Sequence, residues 1–371
     1  MAAREATTDA ERGLSDNRQG SLVSLAELDR YNAVIDARSP GEYALDHIPG
    51  AINLPVLDDA ERAEIGTLYA QSPFTAKKAG AALVSRSIAR HLDGYFADKP
   101  KGFRPLVYCW RGGSRSGAMV TVLRAVGWQA AQLDGGHRAY RRSVVADLAT
   151  LPERFRFIVV CGPTGVGKSR FLRALGEVGT QTLDLEELAA HMGSVLGAYP
   201  DRPQPSQKYF DSLIWDRLRR LDPSQPVFVE SESRKIGRLH TPDALLAHMR
   251  AAACLNLEAD LPLRVELLKA EYAHFLADPA RLGAQLDCLA TLKGRAIIEA
   301  WKRLAEAGDW NPLVAELLTE HYDPAYSRSL GQNFPQAAQA PRLHLTGIDP
   351  AALHELARSA LALTGATPAP A

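Results

Sequence analysis

Cysteine is scarce. Four occur in 371 residues, at Cys109, Cys161, Cys254 and Cys288, and no two form a C-x-x-C pair. That spacing signals neither a disulfide framework nor a zinc knuckle. No sign of charge is in excess: 43 Lys+Arg meet 43 Asp+Glu, a formal net charge of zero. A protein that grips nucleic acid through a bulk positive field is excluded, so any RNA site must be a local patch. Long apolar runs are missing, and none approaches the roughly 18 residues of a membrane span. Residues 1–20 are polar and charged, lack the apolar stretch of a signal peptide, and read as a disordered tail. These features predict a cytoplasmic protein, in a compartment where thiols stay reduced and a lone cysteine can act as a nucleophile. There is no internal repeat.

What is present is enough apolar material for two cores, with 46% hydrophobic and 23% charged residues. The pattern predicts one domain over 21–150 and a second over 151–371, with Leu151-Pro152-Glu153-Arg154 between them. In the first, strands are expected at Ala33–Asp36, Leu106–Cys109 and Ala130–Leu133. Helical spacing runs from Ala79 to Leu92 and from Ser116 to Val126, closed by Gly127. In the second, strands are expected at Phe157–Val160, Thr182–Asp184, Val227–Glu230, Cys254–Leu257 and Leu343–Leu345. Residues from about 261 to 330 have helix-forming composition and read as a helical insertion. Strands alternating with helices imply an α/β fold with parallel sheets in both domains.

The first chemical motif is Cys109-Trp110-Arg111-Gly112-Gly113-Ser114-Arg115-Ser116. A strand delivers Cys109 into a glycine-rich turn and a helix follows. Inward backbone N–H groups and a helix N-terminus cradle negative charge, and Arg111 and Arg115 add full charges. Together they favour the sulfur as a thiolate, or a persulfide, perselenide or bound oxyanion at the same place. Cys109, Arg111 and Arg115 are the candidate catalytic residues. This run resembles the rhodanese active-site loop. So do Asp36-Ala37-Arg38-Ser39-Pro40-Gly41-Glu42-Tyr43, the stretch from His47 to Pro55, and Asp134-Gly135-Gly136. Five residues separate Cys109 from Arg115, one more than in single-domain rhodaneses. In that respect the loop is closer to the related dual-specificity phosphatases, which hold phosphate.

The second motif is Gly162-Pro163-Thr164-Gly165-Val166-Gly167-Lys168-Ser169. It matches G-x-x-x-x-G-K-S/T after an apolar strand and before a helical run, the context of a phosphate-binding P-loop. Gly162, Thr164, Gly165, Gly167, Lys168 and Ser169 are expected to wrap a diphosphate, and the Ser169 hydroxyl to hold magnesium. The pattern reads phosphate and not the group attached to it. Downstream, Glu230 and Glu232 stand where a nucleotide hydrolase usually has an Asp. Either is expected near magnesium or water, with Arg234 and Lys235 near phosphate. Arg138, Arg141, Arg142, Gln207, Lys208 and Arg217 form local polar and basic clusters suited to RNA phosphates. His47, His137, His240 and His321 lack metal-ligand spacing and are assigned no metal. Cys161 reads as a small core residue.

A rhodanese-like thiolate loop followed by this P-loop, with Glu-Ser-Glu-Ser-Arg-Lys-Ile-Gly at 230–237, resembles the tRNA 2-selenouridine synthase family from about Val34 to Tyr326. The resemblance implies replacement of sulfur by selenium in wobble 2-thiouridine of tRNA. It implies two steps: S-geranylation by geranyl diphosphate, then displacement of the S-geranyl group using selenophosphate. It places the diphosphate at Lys168 and Ser169 and selenium at the Cys109 loop. No tightly bound cofactor is implied beyond magnesium; an enzyme supplying selenophosphate is an expected partner, while a membrane or DNA is not. Two alternatives stay open on the residues alone. One is an ATP-dependent kinase or NTPase fused to a rhodanese sulfur carrier. The other is a degenerate rhodanese acting as a binding module.

Overall fold

The computed structural model describes residues 22–366. The expected tail at 1–20 lies outside these residues, as does the chain beyond Ala366. The chain divides into two compact units, one ending at Ala146 and the other beginning at Asp147.

The first unit is built on a five-stranded parallel sheet. Its strands are β1 (Leu22–Val23), β2 (Ala33–Asp36), β3 (Ile52–Asn53), β4 (Pro105–Tyr108) and β5 (Ala131–Leu133), in the order β1-β5-β4-β2-β3. All four residues of β4 are buried, as a strand covered on both faces requires. Helices Pro73–Asp93 and Ser114–Val126 bring Ile88, Met119, Val120 and Leu123 onto Ile35 and Val107 in one apolar cluster. The second helix stops at Gly127, whose φ of 114° is open to glycine. Strands β1 and β3 were not expected; two residues each are too short to show a period.

The second unit repeats the layout. Strands β6 (Phe157–Cys161), β7 (Gln181–Leu183), β8 (Val227–Glu230), β11 (Ala253–Ala259) and β12 (Arg342–Leu345) form a parallel sheet in the order β12-β11-β6-β8-β7. A short antiparallel pair, β9 (Lys235–Ile236) and β10 (Leu239–His240), stands apart. The central strand β6 ends at the P-loop, between β8 and β11. That is where parallel sheets present ligand sites, beyond the carboxyl ends of their strands. Between β11 and β12 the chain is helical, from Leu261–Glu271 to Asp323–Asn333. These helices carry a core of their own, with Phe275, Leu282, Leu286, Trp301 and Leu313. Helix Arg295–Ala307 buries Ile298, Trp301 and Ala305, a single face at helical spacing. One segment, Leu317–Tyr322, is π-helical.

Candidate active site

Cys109 lies immediately after β4, buried to 3% exposure. Helix Ser114–Val126 begins five residues later, and its first-turn N–H groups lack intrahelical partners. Ser116, in that first turn, is fully buried and donates its hydroxyl to the Cys109 sulfur at 3.0 Å. Gln132 of β5 donates Nε2 to Ser116 Oγ at 2.9 Å and to the Gly113 carbonyl at 3.1 Å. A chain of oriented donors therefore runs from the sheet to the sulfur. Sequence reading missed Gln132, which stands two residues before Asp134-Gly135-Gly136 but outside that motif.

The loop is tied down by its neighbours. His137 N–H donates to the Cys109 carbonyl at 2.8 Å and Arg138 N–H to the Trp110 carbonyl at 2.9 Å. Gly136, at φ 57°, lies directly beneath: a Cβ there would collide with the Cys109 carbonyl oxygen and come within 2.5 Å of Gly112 N. Gly136→Ala is therefore expected to lower stability by at least about 2 kcal/mol and to displace the Cys109 loop, read out as a fall in melting temperature and in thiol reactivity.

Of the two expected arginines, Arg115 donates Nη1 to Glu42 at 2.8 Å, and Arg111 is exposed. Glu42 also takes Arg62 at 2.8 Å. Burial alone would raise the Glu42 carboxyl, but the Arg115 hydrogen bond and the charges of Arg115, Arg62 and Arg38 hold it below its usual range. Below, Arg38 and Asp36 form a buried ion pair of 2.6 Å, and Arg38 also donates to the Asp46 carbonyl. This pair fixes the loops around β2, which is how Asp36-Ala37-Arg38 supports the site without touching it.

In the second unit, the P-loop follows β6 and feeds helix Lys168–Glu177. Lys168 Nζ donates to the Gly162 carbonyl at 3.0 Å and sits 5.9 Å from the Tyr326 ring centroid. Gly162 N–H donates to the Tyr326 hydroxyl at 2.6 Å. Arg264, nearly buried, donates from Nε and Nη2 to the Thr164 carbonyl and is itself gripped by both oxygens of Asp323, at 2.6 and 3.0 Å. The helical segment thus braces the loop from outside. Asp323 lies in Tyr322-Asp323-Pro324-Ala325-Tyr326, a run expected from sequence to be a helix end packing on the P-loop unit, whereas Arg264 belongs to no local motif and sequence reading passed over it.

Ser169 donates its hydroxyl to Glu186 Oε2 at 2.8 Å. Glu186 was not anticipated, and it sits among carboxyls. Its N–H donates to Glu230 Oε1 at 2.7 Å, while Glu230 Oε2 is buried without a hydrogen-bond partner among the described residues. Burial, with the charges of Asp184, Glu186 and Glu232, pushes Glu230 well above the usual carboxylate range. Burial and Glu186 push Glu232 up to about 8, against the pull of Lys168. Cys161 is fully buried, as a core residue should be.

The sign for Glu232 follows from linkage. Its folded pKa of about 8 lies above its ordinary 4.5, so the fold favours the protonated acid. The stability it adds is complete below pH 4.5 and is lost as pH rises through about 8. Glu232→Gln is expected to flatten the fall of unfolding free energy between pH 5 and pH 9 by on the order of 2–4 kcal/mol, read out as a shallower fall of melting temperature. Asp184 and Glu230 still titrate, so a smaller slope remains.

Oxygen donors of this kind suit magnesium, which takes one or two protein oxygens together with substrate phosphates and water. Among the described residues, no three His, Cys, Asp or Glu side chains converge as a metal-binding group. Ser169 with Glu186 is the pair that fits such an ion, completed by phosphate oxygens.

The remaining expected residues separate into different places. Arg234 pairs with exposed Asp243 at 3.3 Å, and Lys235 is exposed on β9. Among the described residues, neither makes a hydrogen bond or ion pair to the P-loop. Arg138, Arg141 and Arg142 lie on helix Gly136–Thr150, with Arg138 and Arg142 exposed. Gln207 is committed to structure: its side-chain amide donates to Asp211 and the His240 carbonyl and accepts from His240 N–H. Lys208 and Arg217 are exposed on helix Gln207–Arg219, with Arg217 Nε held by the Thr182 carbonyl. No helix of the described residues is long and apolar enough to cross a membrane.

A buried cysteine in an anion-cradling turn and a P-loop on a second parallel sheet define a rhodanese-type domain joined to a P-loop domain. Comparison with known proteins gives the same pair. The family described as "Rhodanese-like domain" matches residues 22–143, and "tRNA 2-selenouridine synthase AAA domain" matches residues 155–283. Relatives named tRNA 2-selenouridine synthase include one from Aeromonas salmonicida, 33% identical over 80% of this chain and 87% of that protein. One from a Sulfurovum species is 30% identical over 81% of this chain and 89% of that protein. One from Nitrosomonas europaea is 34% identical over 64% of this chain, and the match spans 63% of that relative's length, less than two thirds. The chain belongs to the tRNA 2-selenouridine synthase family.

Proposed function

We propose that the protein modifies tRNA, replacing the sulfur of wobble 2-thiouridine with selenium in two steps. In the first, the thiocarbonyl sulfur attacks the donor carbon of geranyl diphosphate and diphosphate leaves. In the second, the selenium of selenophosphate attacks the same base carbon, the S-geranyl group leaves as a thiol, and water cleaves the selenium–phosphorus bond to release phosphate. Alkylation comes first because a thiocarbonyl sulfur is a poor leaving group and an alkylated one is a better one.

The observation that carries this reading is the Ser116-to-Cys109 hydrogen bond of 3.0 Å inside an anion-cradling turn, in a chain that also holds a P-loop. In the first step the P-loop N–H groups and Lys168 hold the departing diphosphate, stabilising charge as it develops. A magnesium ion at Ser169, when bound, would neutralise further phosphate charge. In the second step the Cys109 loop binds selenophosphate and positions its selenium. Ser116 and the helix N-terminus hold the anion there, and the near-total burial of Cys109 keeps water from competing. The basic residues Arg138, Arg142, Lys208 and Arg217 are candidates for tRNA phosphates.

The test is mass spectrometry of tRNA nucleosides after incubation with purified protein and 2-thiouridine tRNA. With geranyl diphosphate, a geranylated nucleoside is expected; with selenophosphate added, a selenated one. Neither mass, together with hydrolysis or transfer from ATP, would replace this reading with an ATP-dependent enzyme fused to a sulfur carrier.

A further inference from the structure

The helical segment between β11 and β12 does more than brace the P-loop. Its core is indented by an apolar pocket that opens to solvent at its mouth. The walls are side chains such as Leu268, Phe275, Leu282, Trp310, Leu313 and Leu317. Thr164, a P-loop residue, also lines it. The contact between loop and wall is close. Gly165 has φ 76°, and a Cβ on it would lie 2.7 Å from Leu268 Cγ. The phosphate loop and the cavity therefore share a wall, made by Thr164 and Gly165 on one side and Leu268 on the other.

Three features argue against a nucleoside in this space. The lining is hydrocarbon, whereas a base needs donors and acceptors at its edges. The hydroxyl of Tyr272, which also lines the cavity, is already bonded to Ser194 Oγ at 2.9 Å. Burial raises the Tyr272 and Tyr322 hydroxyls, the latter to about 12, so neither presents a charge to a ligand. The wall also departs from ordinary helix geometry where it meets the cavity. Leu317 and Tyr322 bound the π-helical turn, and both line the space. Such turns re-aim side chains and occur mostly at functional sites.

We infer that this cavity receives the chain of an acyclic isoprenoid diphosphate whose diphosphate lies on the P-loop. The inference rests on the reading of the P-loop as a prenyl-diphosphate site and adds where the chain goes. An apolar chain there leaves water for hydrocarbon, and its polar head stays on the side where Thr164 of the phosphate loop lines the pocket.

The experiment is calorimetric titration of the full chain with geranyl diphosphate, dimethylallyl diphosphate and inorganic diphosphate. Geranyl diphosphate is expected to bind at least about 30-fold tighter than inorganic diphosphate, with dimethylallyl diphosphate between them. Its heat-capacity change should be more negative than that of inorganic diphosphate, the mark of apolar burial. Val314→Trp and Leu276→Trp fill the cavity from two half-buried wall positions. Each should cut the geranyl preference at least about tenfold, while inorganic diphosphate binds as it does to the unaltered protein. Retained inorganic diphosphate binding also reports that the variant is folded. If both variants keep the full geranyl preference, or if the unaltered protein gives the same heat-capacity change for both ligands, the chain lies elsewhere and the inference falls. If the unaltered protein shows no preference for geranyl over inorganic diphosphate, the prenyl-diphosphate reading of the P-loop itself falls.

Discussion

Lys168→Ala is expected to reduce formation of the geranylated nucleoside by about 10²–10³-fold while leaving selenation of a tRNA geranylated beforehand at its normal rate. In the proposed first step, charge appears on the donor. As the carbon–oxygen bond of the donor breaks, negative charge collects on the diphosphate, and the group best able to meet it is a cation fixed beside the loop. Lys168 is held ready: its Nζ rests 3.0 Å from the Gly162 carbonyl, an oxygen it can exchange for a phosphate oxygen. The substitution should not unfold the protein. Loss of the cation removes the charge that pulls Glu232 down, but Glu232 is already pushed up to about 8 and is mostly protonated at neutral pH. Lys168→Arg should recover little, because a planar guanidinium cannot replace a compact ammonium within so tight a turn. The check is a nucleoside time course with each substrate separately. An unchanged geranylation rate in Lys168→Ala would remove the diphosphate from the P-loop.

The P-loop was legible because its chemistry is contiguous. Eight successive residues make one turn, and the apolar strand before it and helix after it are local signals. The same holds for Cys109, where strand, turn and helix follow in order. Strands β2, β4, β6 and β8 were readable for a related reason, since buried parallel strands are short apolar runs. What surrounds the two motifs was not readable, because it converges from distant positions. Glu186 reaches Ser169 from a five-residue helix, Leu185–Ala189, capped by Asp184. Gln132 reaches Ser116 across the sheet. Arg264 and Asp323 join two helices to the Thr164 carbonyl. Each looks in sequence like any surface polar residue, and only the fold gives it a partner. The cavity was hidden for the opposite reason: its lining residues have the pattern of an ordinary helical core. Arg234 and Lys235 illustrate the converse. Their nearness in sequence to Glu230 and Glu232 suggested a shared site, yet the chain turns sharply there. The carboxyls point inward from the end of β8, and the cations project outward on the β9 hairpin.

Cys109→Ala should divide the reaction at the other step: selenated nucleoside falls by at least about 10³-fold, and the geranylated nucleoside accumulates at the rate of the unaltered protein. The two motifs lie in separate compact units, so removing a sulfur from one leaves the diphosphate chemistry of the other intact. The cost to folding is small, because alanine keeps most of the buried volume and Ser116 retains Gln132 as a partner at 2.9 Å. Cys109→Ser separates two roles for the loop. A hydroxyl keeps the hydrogen bond from Ser116 and the cradle for a bound anion, but it is no thiolate nucleophile. If the sulfur itself attacks the base carbon, expelling the S-geranyl thiol before selenium displaces it, Cys109→Ser is as inactive as Cys109→Ala. If the loop only binds selenophosphate, Cys109→Ser keeps a substantial part of the activity, since Ser116, the helix N-terminus and the loop N–H groups are all still in place. Ser116→Ala supplies the complementary measurement. It removes the donor 3.0 Å from the sulfur without touching the sulfur itself, and should slow selenation by about tenfold. Geranylation and selenation unchanged together in Cys109→Ala would leave the first unit a binding module and overturn the two-step assignment at its second step.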